Sequence, residues 1–114
     1  MEGFEFLCPS EGVREGEFGE HPIRQADNNT EVIVTRQMGR VHAWLNVCPH
    51  QGRALNFAPK RFLSDDQGRL VCAAHGAVFE PDSGLCVGGP CRGASLREVA
   101  VIDTGSEILI RSAD

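Results

Sequence analysis

Two short stretches decide how this sequence is interpreted: CPHQG at residues 48–52 and CAAHG at residues 72–76. Each pairs one cysteine with one histidine and then places a glycine; they are called here the first box and the second box. A disulfide framework needs no histidine, and a catalytic thiol needs no second copy. Two thiolates together with two imidazoles are instead a set of metal ligands. The boxes therefore predict a metal centre.

The segments around the boxes have an all-β pattern. Short runs rich in Val, Ile and Phe are punctuated by 13 glycines and 6 prolines, which is typical of short strands joined by turns. Strands are predicted at residues 4–7, 31–36, 40–46, 69–72, 77–79, 98–102 and 107–110. Hairpins are expected across residues 37–39 and 103–106. Each box then lies in a loop held between strands of a small antiparallel sandwich or barrel.

Length and charge narrow the function. The chain of 114 residues has the size of a single domain, 1–114, and its formal net charge is −5. The absence of a basic run argues against nucleic acid and anionic membranes as partners. The N-terminus resembles no signal peptide, and no apolar run approaches the roughly 18 residues of a membrane span. These features predict a cytoplasmic protein whose five cysteines are thiols or metal ligands.

Two metal hypotheses compete for the boxes. A structural zinc ion accepts cysteine and histidine together, but common zinc modules place like ligands next to each other. Here each box mixes the two types, and only one residue separates Cys48 from His50. The alternative is a [2Fe–2S] cluster of the kind in which two histidines replace two cysteines on one iron.

The chain resembles the Rieske ferredoxin family through three stretches in order: NVCPHQGRAL (46–55), LVCAAHGAVFEPDSG (70–84) and CVGGPCRGASL (86–96). The likeness spans about residues 31–103. It implies a Rieske-type antiparallel β-sandwich or barrel, with a small cluster-binding subdomain made of two loops between strands, about residues 46–92. The family also has a Gly-Pro loop over the cluster, here residues 88–90, called the cover loop. More residues than usual separate the boxes, and the excess is assigned to a solvent-facing insertion at residues 57–69.

The resemblance also implies which residues bind one [2Fe–2S] cluster per chain. Cys48 and Cys72 would hold the inner iron. His50 and His75 would hold the outer iron, with their Nε2 edges toward solvent.

Four further residues are implied in shaping the site. The glycines that end the boxes, Gly52 and Gly76, would let backbone amides approach the sulfides, although an ordinary turn is the alternative for each. Gly89 and Pro90 would shape the cover loop.

The same resemblance predicts a low reduction potential. High-potential relatives carry an extra cysteine in each box, where this chain has Arg53 and Ala74. They also hydrogen-bond the cluster through a serine and a tyrosine, where this chain has Ala77 and Phe79. Fewer hydrogen bonds stabilise the reduced state less, so a potential of about −150 mV is expected.

The function implied is that of an electron carrier, not an enzyme, between a flavin-dependent reductase and a terminal oxygenase or similar redox protein. No catalytic residue is assigned. A self-sufficient oxygenase would need a second iron site, and only His21 and His42 remain for it. An accessory small subunit of a nitrite-reductase-like complex and a structural zinc module stay open as alternatives.

Three cysteines lie outside the boxes. Cys8 is expected to be a small buried hydrophobic residue. Cys86 and Cys91 could form a redox-active disulfide, although a reducing compartment disfavours one.

Overall fold

The computed structural model describes residues 3–25, 28–49 and 52–111. Its strands are β1 Phe4–Pro9, β2 Phe18–Gln25, β3 Asn28–Gln37, β4 Arg40–Leu45, β5 Leu63–Ser64, β6 Leu70–Val71, β7 Val78–Phe79, β8 Cys86–Gly88, β9 Val101–Asp103 and β10 Glu107–Arg111. One 3-10 turn occupies Ser10–Gly12. No helix within the described ranges is long and apolar enough to cross a membrane. The predicted all-β class is confirmed.

The strands form three antiparallel sheets, in the orders β1-β10-β9, β2-β3-β4 and β5-β6-β7-β8. Both predicted hairpins are present. In the first, β3 pairs with β4 across a two-residue turn, where Met38 and Gly39 have φ angles of 53° and 81°. Positive φ at both central positions is the geometry that matches the twist of the flanking strands. In the second hairpin, β9 pairs with β10.

Three strands, β2, β5 and β8, were not predicted from the sequence, and a fourth was predicted a few residues too early in the chain. β2 pairs with β3 along its whole length although it contains Pro22. Because β2 is an edge strand, a missing backbone donor is tolerated there. β5 and β8 have only two and three residues, too few to show a periodic pattern. The strand predicted at 98–102 is found at Val101–Asp103.

The sheet β2-β3-β4 lies between two hydrophobic cores. Ile33 and Trp44 are register partners and face the core that contains the box cysteines. Their neighbours in β3 and β4, among them Val34 and Ala43, face the other core, which β1 and β10 close. Alternate residues of a strand point to opposite faces, so β3 serves both cores. Cys8 is buried in the second core, as predicted.

The insertion at residues 57–69 is mostly exposed, as predicted, but it also contributes structure. Leu63 pairs with Val71, which adds β5 to the sheet that carries the second box. Phe62 packs partly against the core of the box cysteines, with its ring centroid 6.3 Å from that of Phe18. The insertion therefore supports one edge of the site.

Candidate metal centre

The two boxes have the same backbone hydrogen bonds. The amide of Gly52 donates to the carbonyl of Cys48 at 2.8 Å, and that of Gly76 donates to the carbonyl of Cys72 at 2.9 Å. Each cysteine amide in turn donates to the carbonyl of the residue after the glycine, at 2.6 Å in the first box and 2.8 Å in the second. Gly52 and Gly76 have φ angles of 70° and 77°, which glycine adopts without steric cost. The chain thus builds one turn twice.

The turns leave their cysteines inside and the described histidine outside. Cys48 and Cys72 have only 2% and 1% of their surface exposed and belong to the core beneath the boxes. His75, three residues after Cys72, is exposed. His50 lies outside the described residues. The amide of Ala73 donates to the carbonyl of Leu55 at 3.0 Å, so the second box is bonded directly to the end of the first loop.

The cover loop lies against the second box. A Cβ atom added to Gly89 would be 2.8 Å from the Cα atom of Ala77 and 3.1 Å from the carbonyl oxygen of Gly76. No real side chain tolerates that approach, and Gly89 also has a φ angle of 87°. Pro90 follows it and is exposed. The glycine is therefore required by a close backbone contact.

A buried polar network holds the first loop, and the sequence prediction missed it. The Asn46 side chain accepts a hydrogen bond from the amide of Leu55 at 2.8 Å and donates to carboxylate oxygen Oε2 of Glu20 at 3.1 Å and to Asn56 at 2.8 Å. Oxygen Oε1 of Glu20 accepts the amide hydrogen of Lys60 at 2.8 Å. Asn46 therefore joins both ends of the loop at residues 46–55, which carries the first box, to Glu20 of β2. Its place directly before the box was the available signal; Glu20 lies on a strand that was not predicted.

A second carboxyl group shares this network. The hydrogen bond between the side chains of Glu20 and Glu31 lowers the pKa of Glu20 and raises the pKa of Glu31. While the pair holds a single proton, that proton therefore lies on Glu31 and the charge on Glu20, since two close carboxylates repel when both are ionised.

Three thiols meet beside the boxes. The Sγ atoms of Cys86 and Cys91 are 3.2 Å apart, and the thiol of Cys91 also contacts that of Cys48. Burial, with these neighbouring thiols, raises the pKa of Cys91 to about 12. All five cysteines are described, and none forms a disulfide.

No group of three or more His, Cys, Asp or Glu side chains within the described ranges could hold a single metal ion. A tetrahedral zinc ion takes four ligands around one point, whereas a two-iron cluster takes two protein ligands at each iron.

A small all-β domain in which two loops repeat the same Cys–Gly hydrogen bonds, each with a buried thiol, suits a metal cluster. Residues 4–104 match the Rieske [2Fe-2S] domain. The chain belongs to this family, and the family's cofactor is a [2Fe–2S] cluster.

Individual relatives agree with the family. The chain is 29% identical over 103 residues to the glycine betaine monooxygenase oxygenase subunit of Chromohalobacter salexigens, covering 84% of this chain and 22% of that protein. It is 31% identical over 83 residues to the ferredoxin component of the alkene monooxygenase system of Xanthobacter autotrophicus, covering 68% and 57%. The chain thus spans only part of the curated relatives it matches.

The fold is also that of a solved ferredoxin. The ferredoxin of carbazole 1,9a-dioxygenase from Nocardioides aromaticivorans IC177 superposes with a TM-score of 0.72 at 20% identity, over 99% of this chain and all of that one. This likeness confirms the predicted Rieske-type architecture.

Proposed function

We propose that this chain is a one-electron carrier that holds one [2Fe–2S] cluster between its two boxes. The ligands are Cys48, Cys72 and His75, with His50 as the fourth on the strength of the sequence pattern. The observation that carries the proposal is the repeated turn, which buries a thiol in each box and leaves His75 exposed. When bound, the cluster supplies reversible one-electron chemistry.

The residues around the boxes fit such a group. Cys48 and Cys72 belong to a hydrophobic core, which keeps water away from one side of the site. On the other side, the exposed imidazole of His75 offers a short path for electrons to a docked partner protein. The protein ligands are divided between thiolate and imidazole as a Rieske centre requires, and no described trio of side chains suits a single ion.

The partners follow from the same chemistry. We infer that electrons arrive from a flavin-dependent reductase and leave to a terminal oxygenase or a related redox protein. Support comes from the relatives, which are named as a monooxygenase ferredoxin component and an oxygenase subunit. The net charge of −5 suits docking to basic partner surfaces. In this role the chain converts no substrate itself.

The test is to purify the full chain without oxygen, assay iron, acid-labile sulfide and zinc, and record an EPR spectrum after dithionite reduction. About two irons and two sulfides per chain are expected, with the low average g-value that histidine ligation produces. His75→Ala should abolish that spectrum. His42→Ala is the matched control, because His42 stacks on Trp44 outside the boxes and should leave the spectrum intact.

Reduction by a flavin-dependent reductase with NADH would then be followed by the loss of visible absorbance. One electron taken up per chain supports the carrier role. One zinc ion per chain, with no sulfide and no EPR signal, would overturn it and leave a structural metal module.

A further inference from the structure

We propose that Cys86 and Cys91 are a reversible dithiol–disulfide pair that closes the turn carrying the cover loop. Their Sγ atoms are 3.2 Å apart, and a disulfide bond is about 2.05 Å long. To form the disulfide, the two Sγ atoms must therefore move about 1 Å closer to each other. The residues between them include Gly89 and Pro90 of the cover loop.

The backbone holds both cysteines in place for this reaction. The amide of Cys86 donates to the carbonyl of Ala94 at 2.8 Å, and its carbonyl accepts from Gly93 at 3.0 Å. The carbonyl of Cys91 accepts from Ala94 at 2.9 Å. One short turn thus fixes the two α-carbons relative to each other, so that bond formation needs no rearrangement of strands.

Exposure assigns the two sulfurs different roles. Cys86 has 1% of its surface exposed, whereas Cys91 is only half-buried. With a low-molecular-weight disulfide such as oxidised glutathione as the oxidant, Cys91 is the sulfur that the oxidant can reach. Its thiol gives up its proton as the sulfur attacks one glutathione sulfur, and the first glutathione leaves as the thiol. The sulfur of Cys86 then attacks the mixed disulfide at Cys91 and releases the second. Two protein thiols are oxidised, one glutathione disulfide is reduced, and the two protons leave on the two glutathione thiols.

A competing partner is present, and the proposed cluster removes it. The thiol of Cys91 also contacts that of Cys48. This step rests on the proposed function: in the loaded protein Cys48 is bound to iron. Cys86 is then the neighbouring thiol that can form a disulfide with Cys91. Cys8 lies in the other core. Because Gly89 rests on Ala77, closing this turn would fasten the cover loop to the second box.

The experiment uses the full-length, cluster-loaded chain, equilibrated without oxygen at a series of ratios of oxidised to reduced glutathione. Remaining thiols are alkylated, and the chain is cleaved before aspartate. Cleavage before Asp82 and Asp103 releases residues 82–102, in which Cys86 and Cys91 are the only cysteines. With oxidised glutathione in excess, this peptide should be lighter by two hydrogen atoms and carry no alkyl group. Reduced glutathione should reverse the change.

Iron and sulfide are assayed in the same samples, and cluster release to a ferrous chelator is timed. Release should be several-fold slower in the oxidised form. Cys91→Ser should remove that difference, whereas Cys8→Ala should keep it.

The pair is overturned if residues 82–102 stay alkylated at both cysteines with oxidised glutathione in excess, or if Cys91 is instead linked to Cys48. If the chain as purified holds one zinc ion and no sulfide but still forms this disulfide, the pair is supported while the electron-carrier function is refuted. The two proposals therefore fail separately.

Discussion

The backbone amide of Gly76 donates a hydrogen bond of 2.9 Å to the carbonyl oxygen of Cys72, and this bond closes the turn that presents His75. The first box closes in the same way, from Gly52 to Cys48, at 2.8 Å. The cysteine and the glycine of each box are therefore the two ends of one hydrogen-bonded turn. A positive φ at its last residue is the condition for closing it.

Asn46 is predicted to determine whether the first box keeps its shape. Asn46→Ala removes three side-chain hydrogen bonds and leaves the amide of Leu55 and the carboxylate of Glu20 without their buried partner. We expect the free energy of unfolding to fall by about 2–3 kcal/mol and iron content to fall with it. Urea titration and iron assay measure the two effects.

Gln67→Ala is the control for that variant, since Gln67 carries an exposed amide side chain. Its effect should stay within about 0.5 kcal/mol. Equal iron content in the Asn46→Ala variant and the wild type would show that the network does not support the box.

Gly89 and Gly93 test the contact between the cover loop and the second box. Both have positive φ, so alanine at either should cost about 1 kcal/mol in backbone strain. Only at Gly89 would the new Cβ meet a neighbour, at 2.8 Å from the Cα atom of Ala77; at Gly93 it meets nothing within 4 Å. Gly89→Ala should therefore cost about 1–3 kcal/mol more and speed cluster loss to a chelator. Identical chelation rates in the two variants would contradict a covering role.

Glu31 is predicted to make stability depend on pH. The raised pKa of Glu31 adds to the free energy of unfolding; this stabilisation is complete below the ordinary glutamate pKa and is lost as pH rises through the raised value. The lowered pKa of Glu20 also adds to the free energy of unfolding, and that stabilisation is lost as pH falls through the lowered value. Their shared hydrogen bond therefore stabilises most near the ordinary pKa of 4.5, between the two folded values.

Glu31→Gln keeps a hydrogen-bond donor at every pH and removes the repulsion between two carboxylates. We expect its Tm at pH 7 to exceed that of the wild type, with a flatter profile between pH 5 and pH 7. Glu5→Gln, at an exposed position in β1, is the control and should follow the wild-type profile. A lower Tm for Glu31→Gln at pH 7 would refute the repulsion between the two carboxylates.

Phe79 is predicted to keep the reduction potential low by offering no hydrogen bond. Its side chain is fully buried in the core that contains both box cysteines. Phe79→Tyr adds a hydroxyl donor there and should raise the midpoint potential above about −150 mV, toward the upper part of the Rieske range. Redox titration followed by circular dichroism measures it. Phe18→Tyr, at the edge of the same core, should leave the potential unchanged; a shift as large as that of Phe79→Tyr would mean a general packing effect.

The local sequence pattern predicted those parts of the structure that depend on residues close together along the chain. The alternation around residues 31–46 predicted β3, β4 and their tight turn, because side-chain period and turn geometry are properties of a short segment. The spacing within each box indicated a cluster-binding turn for the same reason. β2 gave no such signal, because Pro22 and its polar residues are tolerated only at the edge of a sheet that other strands complete.

By itself, then, the sequence determined the class of the domain, its paired boxes and the chemistry of their side chains. Tertiary structure alone decided which distant residues support them. Glu20 reaches Asn46 only because β2 pairs with β3, and Gly89 contacts Ala77 only because β8 returns beside β7. Cys91 lies beside both Cys86 and Cys48 only because the turn after β8 folds back onto the first box. Such contacts join segments far apart in the chain, and their geometry depends on the packing of whole sheets rather than on any local pattern.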